Sequence, residues 1–322
     1  MKTFSTLKIT PFILILVVFS SVFNCKSEKK ENNNSQLTSE TTKKIESDYI
    51  EVTTRSMEFI CPDTIPSGWN TFKYYNLSNE THFFLMDKYP EGKTIRDMKN
   101  EVLPPFDKGM DLINQGNNEE GFAAFGELPE WFGQIVFSGG SGLIGPKNTS
   151  ITTIKLDPGY YIMECYVKMP NGKWHTSMGM AKPLIVTEKD SGNSPPAADI
   201  KLNISKEEGI KFSGDINKGE HIFSVHFTDQ SPHEHFIGHD VNLVKLSDDA
   251  NLEKLEAWMN WSTPFGLKTP VPNGVTFLGG VNDSPAGSTG YFKATFTSGK
   301  YAFISEVPNS KAKGMFKTFT VE

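Results

Sequence analysis

The sequence predicts an all-β protein: two tandem Greek-key β-sandwiches with short helical insertions. Three observations predict it. Runs rich in β-branched and aromatic residues, such as Thr149–Leu156 and His221–Phe227, are each closed off by Gly, Pro, Asn or Asp, the pattern of antiparallel strands joined by tight turns. The chain carries 27 glycines, 19 prolines and 12% aromatic residues, which suits many short strands and turns. A self-similarity then carries Phe137-Ser-Gly-Gly140 onto Phe277-Leu-Gly-Gly280 and, at the same offset, Pro158–Cys165 onto Ser298–Ser305. One fold is therefore expected twice.

The elements follow in chain order. Lys2 and Lys8 flank the start of an apolar run, Phe12–Phe19, too short to span a bilayer and right for a secretory signal over residues 1–24. Its end, Val22-Phe-Asn-Cys25, resembles a bacterial lipobox, which implies an acylated Cys25 and a protein lipid-anchored to an inner or outer membrane of the cell envelope. Residues 25–48 hold too little apolar sequence to fold and read as a disordered tether. The first sandwich is expected over 49–188. Within it, Thr94 is placed to cap a helix with Asp97 three residues on, and the acidic, aromatic stretch between Pro104 and Phe132 is expected to cover an edge or end of the sandwich. Residues 189–199 have linker composition, and 200–322 form the second sandwich, with a helix expected over Asn251–Trp258.

The net charge of −6, with no basic run in the folded part, excludes a nucleic-acid partner. Only Cys61 and Cys165 lie beyond the tether, so no disulfide framework exists. A bridge between these two is opposed by strand direction, because the strand after Cys61 climbs about 20 Å towards the end where Cys165 sits.

The chemistry gathers around Gly159–Val186, where a cysteine, a histidine and two methionines fall close together. Thiolate, imidazole and thioether are the donors that suit copper in electron transfer. Each residue alone also reads more plainly: Cys165 as a small buried hydrophobe, Met180 as core filler, a lone histidine as a surface or capped residue. With the strand pattern and the early His82, however, the chain resembles the cupredoxin superfamily of blue copper proteins, well over 50–187 and more faintly over 200–322. That resemblance implies one type 1 copper site in the first unit, with ligands His82, Cys165, His175 and Met180; Met178 fits the spacing less well. The histidine that copper nitrite reductases and multicopper oxidases place beside the copper cysteine is missing, since Glu164 and Tyr166 flank Cys165. The resemblance therefore implies an electron carrier or copper holder, with an unidentified redox partner protein, more than an enzyme.

In the second unit Ser305 stands where Cys165 does. That unit nevertheless holds five histidines between His221 and His239, and His233, His235 and His239 form a candidate second metal site. Their simpler reading is a set of polar loop residues. Two functions are thus carried forward: a membrane-tethered copper protein for single-electron transfer or copper holding, and a copper-free tandem sandwich serving as a binding or structural lipoprotein.

Overall fold

The computed structural model describes residues 49–322. The expected signal segment, the expected acylation site Cys25 and the expected tether lie outside the described residues. The first lobe contains strands β1 (Ile50–Thr54), β2 (Phe59–Ile60), β3 (Thr64–Asn76), β4 (His82–Lys88), β5 (Val136–Ile144), β6 (Thr149–Leu156), β7 (Gly159–Glu164) and β8 (Ala181–Asp190). The second contains β9 (Ile200–Ser205), β10 (Gly209–Ser213), β11 (Gly219–Phe227), β12 (Val241–Leu246), β13 (Val275–Val281), β14 (Thr289–Phe296), β15 (Gly299–Ile304) and β16 (Phe316–Val321). The all-β fold class is as the sequence predicts.

Alternation makes these strands. In β3, Phe72 and Tyr74 point inward while Lys73 and Tyr75 do not, and in β11 the inward set is Phe223, Val225 and Phe227. Burying an aromatic or branched side chain contributes about 1.5–3 kcal/mol, so the period of two fixes which face meets the core. Two layers result. One runs β10-β9-β11-β14-β6-β3 and the other β8-β7-β4-β5-β13-β12-β15-β16, with the long β3 passing from pairing with β6 to pairing with β8. Both layers continue across the two lobes, through β6–β14 and β5–β13.

The pairing pattern is the same on each side of residues 191–199. β1 lies parallel to β3 as β9 does to β11, and β4 lies between β5 and β7 as β12 does between β13 and β15. Leu85 faces Gly140 and Glu164; Asn242 faces Gly280 and Ile304. The repeated Gly-Gly now has a reason. A Cβ on Gly140 would stand 2.0 Å from the Phe84 carbonyl oxygen, and one on Gly280 1.9 Å from that of Val241. Both glycines sit where a β-bulge shifts the register, and only a residue without a side chain fits.

The helical insertions follow their caps. Thr94 accepts from the Arg96 amide, the Asp97 carboxylate accepts from the Thr94 amide, and α1 (Ile95–Asp97) leads through a π turn into α2 (Leu103–Asn114) and α3 (Asn118–Ala124). Asn251 caps α4 (Leu252–Met259) through the Lys254 amide. The 104–132 stretch does more than cover an edge. Phe106 and Phe125 pack on Trp261 of the second lobe, at ring distances of 6.3 and 5.7 Å, and Asp107 accepts a hydrogen bond from Ser177. Cys61 and Cys165 are both free thiols.

Candidate metal centre

Three segments meet at one end of the first lobe. Asn76, the last residue of β3, donates from its side chain to the carbonyls of Glu80, Ile144 and Gly145 and accepts from Ser78, so the loop before His82 has one shape. β7 stops at Glu164 and delivers Cys165, whose amide donates to the Met180 carbonyl at 3.3 Å and whose carbonyl accepts from the Thr176 hydroxyl at 2.8 Å. The loop between folds back on itself: the His175 amide donates to Val167 and the Met180 amide to His175. Lys168 anchors it, with Nζ donating to the carbonyls of Trp261 and Thr263 at 2.8 and 2.6 Å and lying 5.2 Å from the centre of the Trp174 ring.

The donor atoms converge. Sγ of Cys165 lies 3.7 Å from Nδ1 of His82 and 3.8 Å from Nδ1 of His175, and the two Nδ1 atoms are 3.1 Å apart. All three side chains are fully buried, and they are the only group of three or more His, Cys, Asp or Glu donors within ligating reach among the described residues. With ordinary metal–nitrogen and metal–sulfur lengths of about 2.0–2.3 Å, these separations place three donors on one ion at angles of roughly 95–125°. The residues therefore fit a metal ion.

Burial also sets the protonation. It pushes the Cys165 thiol up to about 12, lowers His82 to about 3 with help from neighbouring His175, and lowers His175 to about 4. Without a cation the pocket holds two neutral imidazoles and a neutral thiol. The outer nitrogen of His82 has no hydrogen-bond partner. That of His175 lies 3.1 Å from a Glu80 carboxylate oxygen, a close approach that is not aligned as a hydrogen bond. Glu80 is the carboxylate placed to orient this ring, and it lies only two residues before His82, a signal that the sequence reading passed over.

Met180 is fully buried beside Cys165 and His175 in the backbone, whereas Met178 is 50% exposed. The second lobe repeats this framework with other side chains. Its Ser305 amide donates to the Met315 carbonyl and its Met315 amide to the Ser310 carbonyl, so Ser305 and Ser310 occupy the places of Cys165 and His175. The register of β12 puts His239 in the place of His82.

Among the described residues the second candidate site is a pair of histidines. His233 and His239 meet, Nε2 to Nε2 at 2.8 Å, and His239 Nδ1 faces the Asp229 carbonyl at 3.1 Å. The His235 side chain lies outside the described residues, and no third described donor joins the pair. His221 bonds Asp199 and Asn217 while His226, on the opposite face of β11, meets Thr289.

Fold and site together define a β-sandwich protein with a buried histidine–cysteine–histidine metal-binding centre. No protein-family model and no curated protein matches the chain. Among solved structures it is similar to the dithionite-reduced auracyanin of Roseiflexus castenholzii, at 20% identity over 44% of this chain and 98% of that one, TM-score 0.25. It is also similar to auracyanin A, a blue copper protein of Chloroflexus aurantiacus, at 18% identity over 43% of this chain and 98% of that one, TM-score 0.26. A copper-containing nitrite reductase of Thermus scotoductus matches at 12% identity over 85% of this chain and 61% of that one, TM-score 0.21. Likenesses of this size carry no weight beside the strand pairing and the donor distances.

Proposed function

We propose that the first lobe holds one copper ion through His82, Cys165 and His175, with Met180 as a further, weaker ligand, and that the protein carries single electrons while tethered to a membrane by a lipid on Cys25. The observation behind this reading is the convergence of two Nδ1 atoms and one Sγ at 3.1–3.8 Å in a fully buried pocket. A structural zinc site closes with four nitrogen or sulfur donors of the His and Cys type. Here the described residues supply three, and the proposed fourth is the buried Met180, whose backbone is hydrogen-bonded to Cys165 and His175; a thioether would suit copper better than zinc.

When bound, copper supplies a one-electron couple. The chain's own residues do the rest. Cys165 gives up its thiol proton on loading, and the two imidazoles arrive neutral, since burial keeps them so. The turn Thr176–Gly179, tied to Cys165 by Thr176 and to α2 by Ser177, fixes ligand positions before any ion enters. A rigid, buried ligand set would change little between oxidation states, and with all its positions taken it would leave none open for a substrate. Two tandem cupredoxin-like units are the proposed organisation, the second keeping the framework with His239 and Met315 but carrying Ser305 and Ser310 in the places of Cys165 and His175.

The test is a redox titration of the copper-loaded protein. One electron per chain should pass reversibly, with no turnover of nitrite or oxygen. Reduction of either substrate near the ordinary enzyme rate of about 10 per second would replace the carrier with an oxidoreductase.

A further inference from the structure

A cleft opens between the two lobes, next to the metal centre and distinct from it. Its cavity volume is about 130 Å³, and it is partly open to solvent. Five carboxyl groups from distant parts of the chain line it: Asp87 on β4, Glu164 at the end of β7, Asp240 before β12, Asp283 after β13 and Glu306 after β15. Its walls include the rings of Tyr89, Phe106, Phe132, Trp174 and Trp261. No lysine, arginine or histidine lines it.

Part of this acidity is internally satisfied. Asp240 accepts from the Ser305 hydroxyl, the Glu306 amide and the Asn242 side chain, Asp283 accepts from Gln230, and one oxygen of Glu306 accepts from the Tyr166 hydroxyl at 3.0 Å. Two oxygens are left over. Asp87 shares a hydrogen bond with Glu164, but its Oδ1, like Oε1 of Glu306, has no hydrogen-bond partner, on residues only 2% and 6% exposed. A buried acceptor without a donor costs about 1–3 kcal/mol, more when charged, so these two oxygens favour a ligand that brings donors, while Trp174 Nε1 in the same wall lacks an acceptor. Lys168 does not supply them, because its ammonium is committed to the Trp261 and Thr263 carbonyls.

Charge and shape narrow the class of donor. Burial first, and neighbouring carboxylates after it, raise the carboxyls of Asp87, Asp283 and Glu306, a penalty that a cation in the cleft would relieve. A divalent metal ion does not fit, since no three of these carboxyls come within ligating reach of one another. Aromatic walls around an anionic floor suit an organic cation, through its apolar body and through cation–π attraction. Two unpartnered oxygens call for N–H groups, which a quaternary ammonium lacks.

We propose that the cleft binds a small primary or secondary ammonium carried on an apolar body about the size of one ring. This site stands apart from the copper reading. The test is calorimetry on the metal-free full chain with benzylamine, benzyl alcohol and benzyltrimethylammonium, so the presence or absence of copper binding does not enter. Benzylamine should bind at least tenfold more tightly than either comparator, and the double variant Asp87→Asn with Glu306→Gln should bring it down to the level of the alcohol. Equal binding of amine and alcohol, or undiminished binding by a folded double variant, would overturn the proposal. If the double variant does not fold, the wild-type selectivity decides: a quaternary ammonium binding as tightly as benzylamine overturns the assignment of the two oxygens.

Discussion

Nδ1 of His82 and Nδ1 of His175 stand 3.1 Å apart with both rings fully buried, although 93 residues separate them in the chain. Two neutral imidazoles held this closely repel no charge, and they share a third neighbour in the Cys165 sulfur. The account of the metal centre rests on this relationship.

Loading should depend on pH with a known sign. The thiol is protonated up to about 12 and the imidazoles are neutral down to about 4 and 3. Between those limits binding releases one proton, so affinity should rise about tenfold per pH unit. A chelator competition at pH 5.5, 6.5 and 7.5, corrected for the chelator's own protonation, reads the slope. A flat response would mean that the thiol is not a ligand.

The paired bulges make a stability prediction. Gly140→Ala and Gly280→Ala each force a Cβ to within about 2 Å of a neighbouring carbonyl oxygen. Each should lower unfolding stability by more than about 3 kcal/mol, the range of steric and backbone conflicts, as read by urea denaturation. A loss below about 1 kcal/mol at either site would show that the bulge relaxes.

Lys168 should behave as an interlobe anchor. Lys168→Met strands the Trp261 and Thr263 carbonyls and should cost about 1–3 kcal/mol. Burial lowers the Lys168 ammonium to about 7. Between that value and the ordinary lysine range near 10.5, the unfolded chain binds a proton that the folded one does not. Wild-type stability relative to Lys168→Met should therefore rise with pH over this window. A constant difference between pH 6.5 and pH 9.5 would show that the ammonium stays charged in place.

The second lobe offers a reconstruction. Ser305 and Ser310 occupy the places of Cys165 and His175, with His239 and Met315 already present. Ser305→Cys together with Ser310→His should raise copper stoichiometry from one to two per chain, measured by elemental analysis. An unchanged stoichiometry in a folded variant would show that the Asp240 hydrogen bonds at this position, or the contact of His233 with His239, hold the framework closed.

Much of this was legible in the sequence because it is local or repeated. Strand alternation, the Thr94 cap, the helix over Asn251–Trp258, the doubled Gly-Gly and the spacing from Cys165 to Met180 are short-range patterns. His82 was legible through the strand that it opens. The cleft was not. Asp87, Asp240, Asp283 and Glu306 are four acids among 38, and nothing local separates them from solvated surface charge until β4, β12, β13 and β15 place them at one interlobe wall. In the second lobe the local pattern carries part of the way: His233 and His239 meet as their nearness suggests, while His221 and His226, on opposite faces of β11, find separate partners.

The most direct measurement is a copper(II) titration of the purified chain followed by visible absorption. The account predicts an intense thiolate-to-copper band that saturates at one ion per chain and is absent from a folded Cys165→Ser variant. A colourless product from protein with a verified reduced Cys165, or a band that survives Cys165→Ser, would contradict it.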